Sequence, residues 1–302
     1  MTSSFAQPLE IKHDRVDPTI LKVVTKIDDV ARKCDTRYFM AGATAREIML
    51  RHVFGRAPGR RTLDVDFGIA VASWEQFEAL KSALTSQAGF APDPKQKQRL
   101  IDSETSVTVD LIPFGGIERD GTISWPPDED MVLRVTGFED ALVGAVPVRL
   151  SPNLIVPIVS LPLLLVLKLF AWTDRKAENR DAEDIYTLLR QYGDAGNEDR
   201  LFGEHLDILE AEGFNFEPAG ALLLGLDASR CVSDSTRERL AETLTSDRQM
   251  TQLTNQMIAS SRGLDRDTAP QCELLVRKLR QGFLPRGSVK SGHLGSPQNR
   301  PL

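Results

Sequence analysis

The stretch LDVDFGIAV, from Leu63 to Val71, places two aspartates inside what otherwise reads as a buried strand. Side chains two positions apart on a strand point to the same face, so we expect Asp64 and Asp66 to project together. Neighbouring carboxylates repel one another, and partial burial makes each of them hard to keep ionised. A divalent cation with a preference for oxygen ligands resolves that conflict. We therefore predict that Asp64 and Asp66 hold Mg²⁺ or Mn²⁺.

A turn rich in small residues comes before this strand. The segment 37–41, RYFMA, is typical of a strand, and ATAREIMLRHVF, residues 43–54, has the pattern of a helix. Backbone N–H groups at a helix start favour anions. We predict that Gly42, Ala43 and Thr44 seat the triphosphate of an NTP. The alternative is an ordinary connection between a strand and a helix.

A third carboxylate follows on a later strand. The stretch SVTVDLIPF, residues 106–114, alternates apolar and polar side chains with the period of a strand, and Asp110 falls on the polar face. We expect Asp110 to reach the same place as Asp64 and Asp66 and to supply a third carboxylate to the metal.

The element pattern predicts an α+β fold. Strand and helix signals alternate up to about residue 159, and helical signals dominate after it. We therefore predict a mixed sheet flanked by helices over residues 1–159 and a helical domain over 160–283 that completes the cleft. The Gly-, Pro- and Ser-rich segment 284–302 has the composition of a disordered tail.

Composition excludes several classes of protein. The net charge of the 302 residues is −6, so a polyanion would be met at one site and not over the whole surface. Three distant cysteines suggest neither a disulfide framework nor a cysteine metal cage. The longest apolar run, residues 161–172, contains a lysine and is shorter than the roughly 20 residues that cross a membrane. With no signal-peptide pattern at the start, we expect a cytoplasmic protein without membrane contact.

These motifs resemble a known superfamily. Gly-x-Thr opening a helix, an Asp-hydrophobic-Asp strand and a later single Asp are similar to the DNA polymerase β-type nucleotidyltransferases. The segment LKLFAWTDRKAENRDAEDIYTLL, residues 167–189, resembles the lysine motif and the Arg-Asp-x-x-Asp motif of AbiEii-type toxin nucleotidyltransferases. Together the resemblance spans residues 38–192. The turn departs from it, since the family usually carries two glycines where this chain has Gly42 and Ala43.

The resemblance implies roles for individual residues. Asp64 and Asp66 would bind the catalytic metal, Lys168 would contact nucleotide phosphate, and Asp181 or Asp184 would act in the site. The residues themselves leave an alternative open, because a lysine inside an apolar run also needs a partner and can pair with Asp181 or Asp184 across the helices. Asp181 can also serve as a helix N-terminal charge.

The segment before the aspartate pair contains Arg51, Arg56, Arg60 and Arg61. Clustered arginines bind phosphate oxygens well, so this segment is a candidate contact surface for an RNA acceptor. We assign that contact to Arg60 and Arg61 and interpret Arg51 and Arg56 as part of a solvated surface.

The sequence therefore predicts a Mg²⁺-dependent enzyme that moves an NMP from an NTP to an acceptor hydroxyl and releases pyrophosphate. The resemblance implies a bacterial toxin of a toxin–antitoxin or phage-defence system, with tRNA or other RNA as acceptor and a cognate antitoxin as partner. Two alternatives stay open. One is a small-molecule nucleotidyltransferase of the antibiotic-modifying kind, and the other is a non-catalytic nucleotide-binding protein that interacts with partners.

Overall fold

A computed structural model of the chain describes residues 7–60, 64–175, 179–260 and 268–285. Within these ranges the chain forms a large mixed sheet, a small hairpin and helices around them. The strands are β1 Leu9–Glu10, β2 Tyr38–Ala41, β3 Val65–Val71, β4 Phe90–Pro92, β5 Arg99–Asp102, β6 Thr108–Gly115, β7 Thr122–Ser124, β8 Val132–Arg134, β9 Val146–Ser151 and β10 Leu154–Ile158. The α-helices are α1 Pro18–Lys33, α2 Gly42–Glu47, α3 Trp74–Ala88, α4 Phe138–Val143, α5 Leu161–Asp174, α6 Arg180–Gln191, α7 Glu198–Phe202, α8 Leu206–Ala211, α9 Phe216–Cys231, α10 Asp234–Thr245, α11 Asp247–Ser260 and α12 Thr268–Phe283, and a π-helical segment, Ile48–Val53, continues α2.

The large sheet has eight strands in the order β1-β9-β10-β2-β3-β6-β5-β4. At its centre β3 runs antiparallel to β2 and parallel to β6, and the register places Asp66 between Ala41 on one side and Asp110 on the other. The apolar side chains of β2 and β3 are buried, as expected for central strands covered on both faces. The predicted α+β fold is confirmed.

The helix starts follow the capping signals of the sequence. Oδ1 of Asp17 accepts a hydrogen bond from the backbone N–H of Thr19 at 2.8 Å, directly before Pro18 opens α1. At α3, the Ser73 side chain accepts from the backbone N–H of Gln76 at 3.4 Å, and Oε1 of Gln76 accepts from Ala72 N–H at 2.7 Å. Such reciprocal bonds satisfy backbone donors at the helix start.

Two predicted helices are each divided. The helical pattern over 235–261 forms α10 and α11, because Ser246 adopts an extended conformation and its hydroxyl accepts from Gln249 N–H at 3.4 Å, which starts a new helix. The pattern over 199–213 likewise forms α7 and α8.

Two strand pairs were not predicted. The hairpin of β7 and β8 lies in a segment that reads as loop, and the antiparallel pair of β4 and β5 forms the far edge of the large sheet. These strands have three or four residues each, which is too short for a clear alternation of polar and apolar side chains.

The apolar segment 161–172 forms the buried helix α5, which packs against α6 and α9. The proposed division at residues 159 and 160 falls just before this helix and stays a prediction. Residues 286–302 of the predicted tail lie outside the described ranges. Across those ranges, no helix is both long enough and apolar enough to cross a membrane.

Candidate active site

The turn between β2 and α2 requires glycine. Gly42 has a φ of +72°, which an L side chain rarely adopts. A Cβ atom built at this position would lie 1.8 Å from Oδ2 of Asp66. The glycine backbone therefore provides the space that the carboxylate of Asp66 occupies.

The next residues of the turn are buried. The hydroxyl of Thr44 donates a hydrogen bond of 2.6 Å to the backbone carbonyl of Asp64. Ala43 is 5% exposed and packs behind the turn. Thr44 thus fixes the chain just before β3, and the predicted contact of Gly42, Ala43 and Thr44 with a triphosphate stays a prediction.

The three predicted carboxylates lie at one place in the sheet. Asp66 and Asp110 are opposite each other on the parallel strands β3 and β6, and Asp64 comes directly before β3. Asp64 and Asp110 each have a side-chain partner. Oδ1 of Asp64 accepts a hydrogen bond from the hydroxyl of Thr108, and Asp110 forms an ion pair with Arg99.

Asp66 is the carboxylate most affected by its surroundings. Burial raises its pKa to about 6; the nearby charge of Lys168 opposes the rise, and the negative charges of Asp110 and Asp64 add to it. A carboxyl group with a pKa of about 6 is half ionised at about pH 6 and mostly ionised at neutral pH. A cation bound beside it would favour the charged form.

These residues fit a magnesium ion. Mg²⁺ is commonly held by one or two carboxylates, with waters and substrate phosphates completing its shell. Asp64 and Asp66 supply such oxygens. Burial is the main cause of the raised pKa of Asp66 and the charges of Asp110 and Asp64 add to it, so a cation bound beside Asp66 would offset both effects. Among the described residues, no group of three or more histidine, cysteine, aspartate or glutamate side chains is arranged to hold a metal ion. Asp64 and Asp66 would supply part of the shell of a bound Mg²⁺, and waters and substrate phosphates would supply the rest.

Lys168 lies in a buried ion cluster, which we define as Arg46, Lys168, Asp181 and Asp184. Its Nζ is 2.6 Å from Oδ2 of Asp184 and 3.2 Å from Oδ1 of Asp181. Lys168 extends from α5 and both aspartates lie on one face of α6, so the cluster joins the two helices. The pairing across the helices that the sequence left open is present.

Arg46 completes the cluster from α2 and is fully buried. Its guanidinium group donates to Asp184, to the carbonyl oxygen of Pro58 at 2.7 Å and to that of Arg60 at 2.7 Å. Burial alone would raise the pKa of Asp184, but the charges of Lys168 and Arg46 hold it below its ordinary value. Asp184 is thus an ionised anchor for two cations.

The arginine segment is largely engaged with acids. Arg51 lies 2.9 Å from Asp14, and Arg56 lies 2.7 Å from Glu198. Nε of Arg60 lies 3.6 Å from Oδ1 of Asp184, behind the cluster. Arg61 lies outside the described residues. The contact of Arg60 and Arg61 with an acceptor stays a prediction.

A cleft of about 500 Å³ opens over these groups. Four of the predicted residues line it, namely Gly42, Asp66, Asp110 and Lys168. The lining also includes the apolar side chains of Ile112, Leu133, Phe138 and Phe170. A cleft with both polar and apolar lining suits a ligand with charged and flat apolar parts, such as a nucleotide. Three more predicted residues contact the site residues from behind. Thr44 donates a hydrogen bond to the backbone carbonyl of Asp64, and Asp181 and Asp184 form ion pairs with Lys168.

Sequence reasoning missed the two arginines that hold the site acids. Arg46 follows Thr44 by two positions and directly precedes Glu47 in a helical pattern that also contains Arg51, so nothing in the sequence marked it as a buried residue. Arg99 lies in a polar stretch whose short strand has no clear period, so nothing in the sequence marked it.

A family model describes the same region of the chain. Residues 29–271 match the family "Nucleotidyl transferase AbiEii toxin, Type IV TA system". The protein belongs to this AbiEii family. The match covers most of the chain and includes every residue of the candidate site, so the chain is a nucleotidyltransferase.

Several solved structures have a distant likeness to this AbiEii-family chain. An antigenic nucleotidyltransferase-like protein from Paracoccidioides brasiliensis is 16% identical, with 66% of this chain and 94% of that chain covered and a TM-score of 0.39. The antibiotic-resistance factor ANT(2'')-Ia is 14% identical, with 66% and 98% covered and a TM-score of 0.35. The CCA-adding enzyme of Thermotoga maritima, solved with tRNA, is 13% identical, with 89% and 82% covered and a TM-score of 0.25. No curated protein matches the chain.

Proposed function

We propose that this nucleotidyltransferase moves an NMP from an NTP to a hydroxyl group of tRNA or another RNA, with Mg²⁺ bound by Asp64 and Asp66. The observation that carries the proposal is the shared cleft of Gly42, Asp66, Asp110 and Lys168. It places Asp66, one of the two proposed metal ligands, beside Asp110 as a proton acceptor, a lysine for phosphate and apolar side chains for a base.

The reaction can be written with these residues. The acceptor oxygen attacks the α-phosphorus of the NTP, the bond from that phosphorus to the bridging oxygen breaks, and pyrophosphate leaves. When bound, Mg²⁺ supplies positive charge to the phosphate oxygens. Lys168 adds positive charge beside the transferred phosphate, and Asp110 accepts the proton of the attacking hydroxyl through a lone pair that its ion pair leaves unused.

RNA as the acceptor is proposed from the family and from charge. Arg134 and Arg175 line the cleft, and the side chain of Arg175 is 54% exposed, so phosphates outside the cleft can reach it. A cognate antitoxin is proposed from the family description alone. Its test is rescue of growth when the neighbouring gene is co-expressed with this chain.

The test of the activity is an incubation of the purified protein with Mg²⁺, each α-labelled NTP in turn, and total tRNA. We expect label in tRNA with one or more NTPs, and loss of label in Asp64→Ala and Asp66→Ala. The control is Asp234→Ala, which removes an acid that is 87% exposed on α10. Label on a small molecule would retain the transferase and overturn the RNA acceptor. Absence of transfer to any acceptor, with Mg²⁺-dependent NTP binding intact, would overturn the proposed reaction.

A further inference from the structure

Asp110 enters the cleft with its charge already paired. It lies on β6 directly opposite Arg99 on β5. Nε of Arg99 is 2.8 Å from Oδ1 of Asp110, and the second guanidinium nitrogen is 2.7 Å from Oδ2. The two side chains are 21% and 14% exposed. Paired donors of this kind fix the direction of a carboxylate as well as its position.

The ion pair changes the charge that a metal would meet. Asp64, Asp66 and Asp110 lie at one place in the sheet, and the positive charge of Arg99 offsets the negative charge of Asp110. Each oxygen of Asp110 already accepts a hydrogen bond from Arg99, and the guanidinium charge beside these oxygens repels a cation. Asp110 in this pair is therefore a weaker metal ligand than a carboxylate without such a partner.

Of the three predicted ligands, Asp110 is the one that the paired donors of Arg99 orient from the neighbouring strand. Among the residues whose placement is described, no group of three ligands is gathered.

We propose that Arg99 is a positioning residue that keeps Asp110 outside the coordination shell of the metal, so that Asp64, Asp66 and the NTP phosphates form it. This inference rests on the proposed function, since it assumes the metal at Asp64 and Asp66. Its consequence is that the protein without nucleotide holds the metal weakly. The metal then enters together with the NTP.

The test measures Mn²⁺ binding to the protein without nucleotide, by the loss of the electron paramagnetic resonance signal of free Mn²⁺. This signal does not depend on turnover. We expect Arg99→Gln to bind Mn²⁺ about tenfold more tightly than wild type, because a nearby positive charge is removed and a third carboxylate is released. The double variant Arg99→Gln/Asp110→Asn is expected to return to within about threefold of wild type. Arg99→Lys, which keeps the charge but not the paired donors, is expected to lie between wild type and Arg99→Gln.

Asp110→Asn alone is expected to bind Mn²⁺ within about threefold of wild type, whereas Asp66→Asn loses binding. This comparison stands even where Arg99→Gln fails to fold. The matched control is Arg149→Gln, which removes an arginine that pairs across strands with Glu10 at 3.0 Å on the opposite edge of the same sheet. It should leave Mn²⁺ binding unchanged.

Two results would overturn the inference: a loss of Mn²⁺ binding in Asp110→Asn as large as in Asp66→Asn, or equal or weaker binding in Arg99→Gln. Failure of the proposed function looks different. In that case Asp66→Asn binds Mn²⁺ as wild type does, and wild type transfers no nucleotide.

Discussion

Nζ of Lys168 lies 2.6 Å from Oδ2 of Asp184, so the single charge within residues 161–172 meets a fully buried carboxylate. Removing one partner of a buried ion pair leaves the other charge without compensation. We expect Asp184→Asn to lower the free energy of unfolding by roughly 3–5 kcal/mol, since both Lys168 and Arg46 lose their shared partner. Urea denaturation measures this, with Glu10→Gln in an exposed pair as the control that changes little. A loss in Asp184→Asn no larger than in that control would contradict the prediction.

Lys168 is expected to matter for catalysis beyond stability. Lys168→Met should lower the rate of nucleotide transfer by about 100-fold or more, because it removes positive charge beside the transferred phosphate. Lys278→Met is the matched control: its lysine is 14% exposed against 12% for Lys168 and is also paired with an acid, Glu212. Single-turnover assays on the folded fraction of each variant make the comparison. Equal loss in both variants would assign Lys168 a purely structural role.

Position 42 is expected to require glycine for two reasons, its positive φ and the close approach of the Asp66 carboxylate. Gly42→Ala would strain the backbone at φ +72° and bring its Cβ onto the carboxylate of Asp66. Gly89→Ala provides the control, since Gly89 has a φ of +77° but no atom lies within 4 Å of the position that its Cβ would take. Both should lose about 1–2 kcal/mol from backbone strain. A loss of Mn²⁺ binding and transfer is expected in Gly42→Ala alone, and its absence would show that the close approach to Asp66 has no role.

The raised pKa of Asp66 predicts that the free energy of unfolding of the protein depends on pH. A carboxyl group whose pKa is higher in the folded than in the unfolded protein contributes stability below the unfolded value, and loses it as the pH rises through the folded value. For Asp66 that window runs from about 4 to about 6. Between those limits wild type should lose roughly 3 kcal/mol relative to Asp66→Asn, which does not titrate.

Urea denaturation with a chelator present, at pH 4.5 and at pH 7.5, measures this difference. Asp66→Asn is expected to be the more stable protein at pH 7.5. A difference between the two proteins that does not change with pH would contradict the assigned pKa.

Most elements of the fold could be predicted from patterns of residues that are close together in the sequence. Asp17 before Pro18, Ser73 before Gln76 and the alternation around Asp110 each predict an element from neighbouring residues, and the structure confirms all three. The site was predicted less completely, because partners come from distant parts of the chain. No sequence signal near Asp110 indicates that Arg99 is its partner, because the two residues come together only through the pairing of β5 with β6.

The order of the site residues along the chain bears on when activity begins. A nascent chain that has emerged only as far as β10 already contains the turn glycine and all three carboxylates, but neither the lysine of α5 nor the aspartates of α6. Domains form as their parts leave the ribosome, N-terminal elements first. On the proposed function, truncated products of synthesis would be inactive. For a member of a toxin family, the need to complete the helical half would thus protect the cell that makes the protein from activity of unfinished chains.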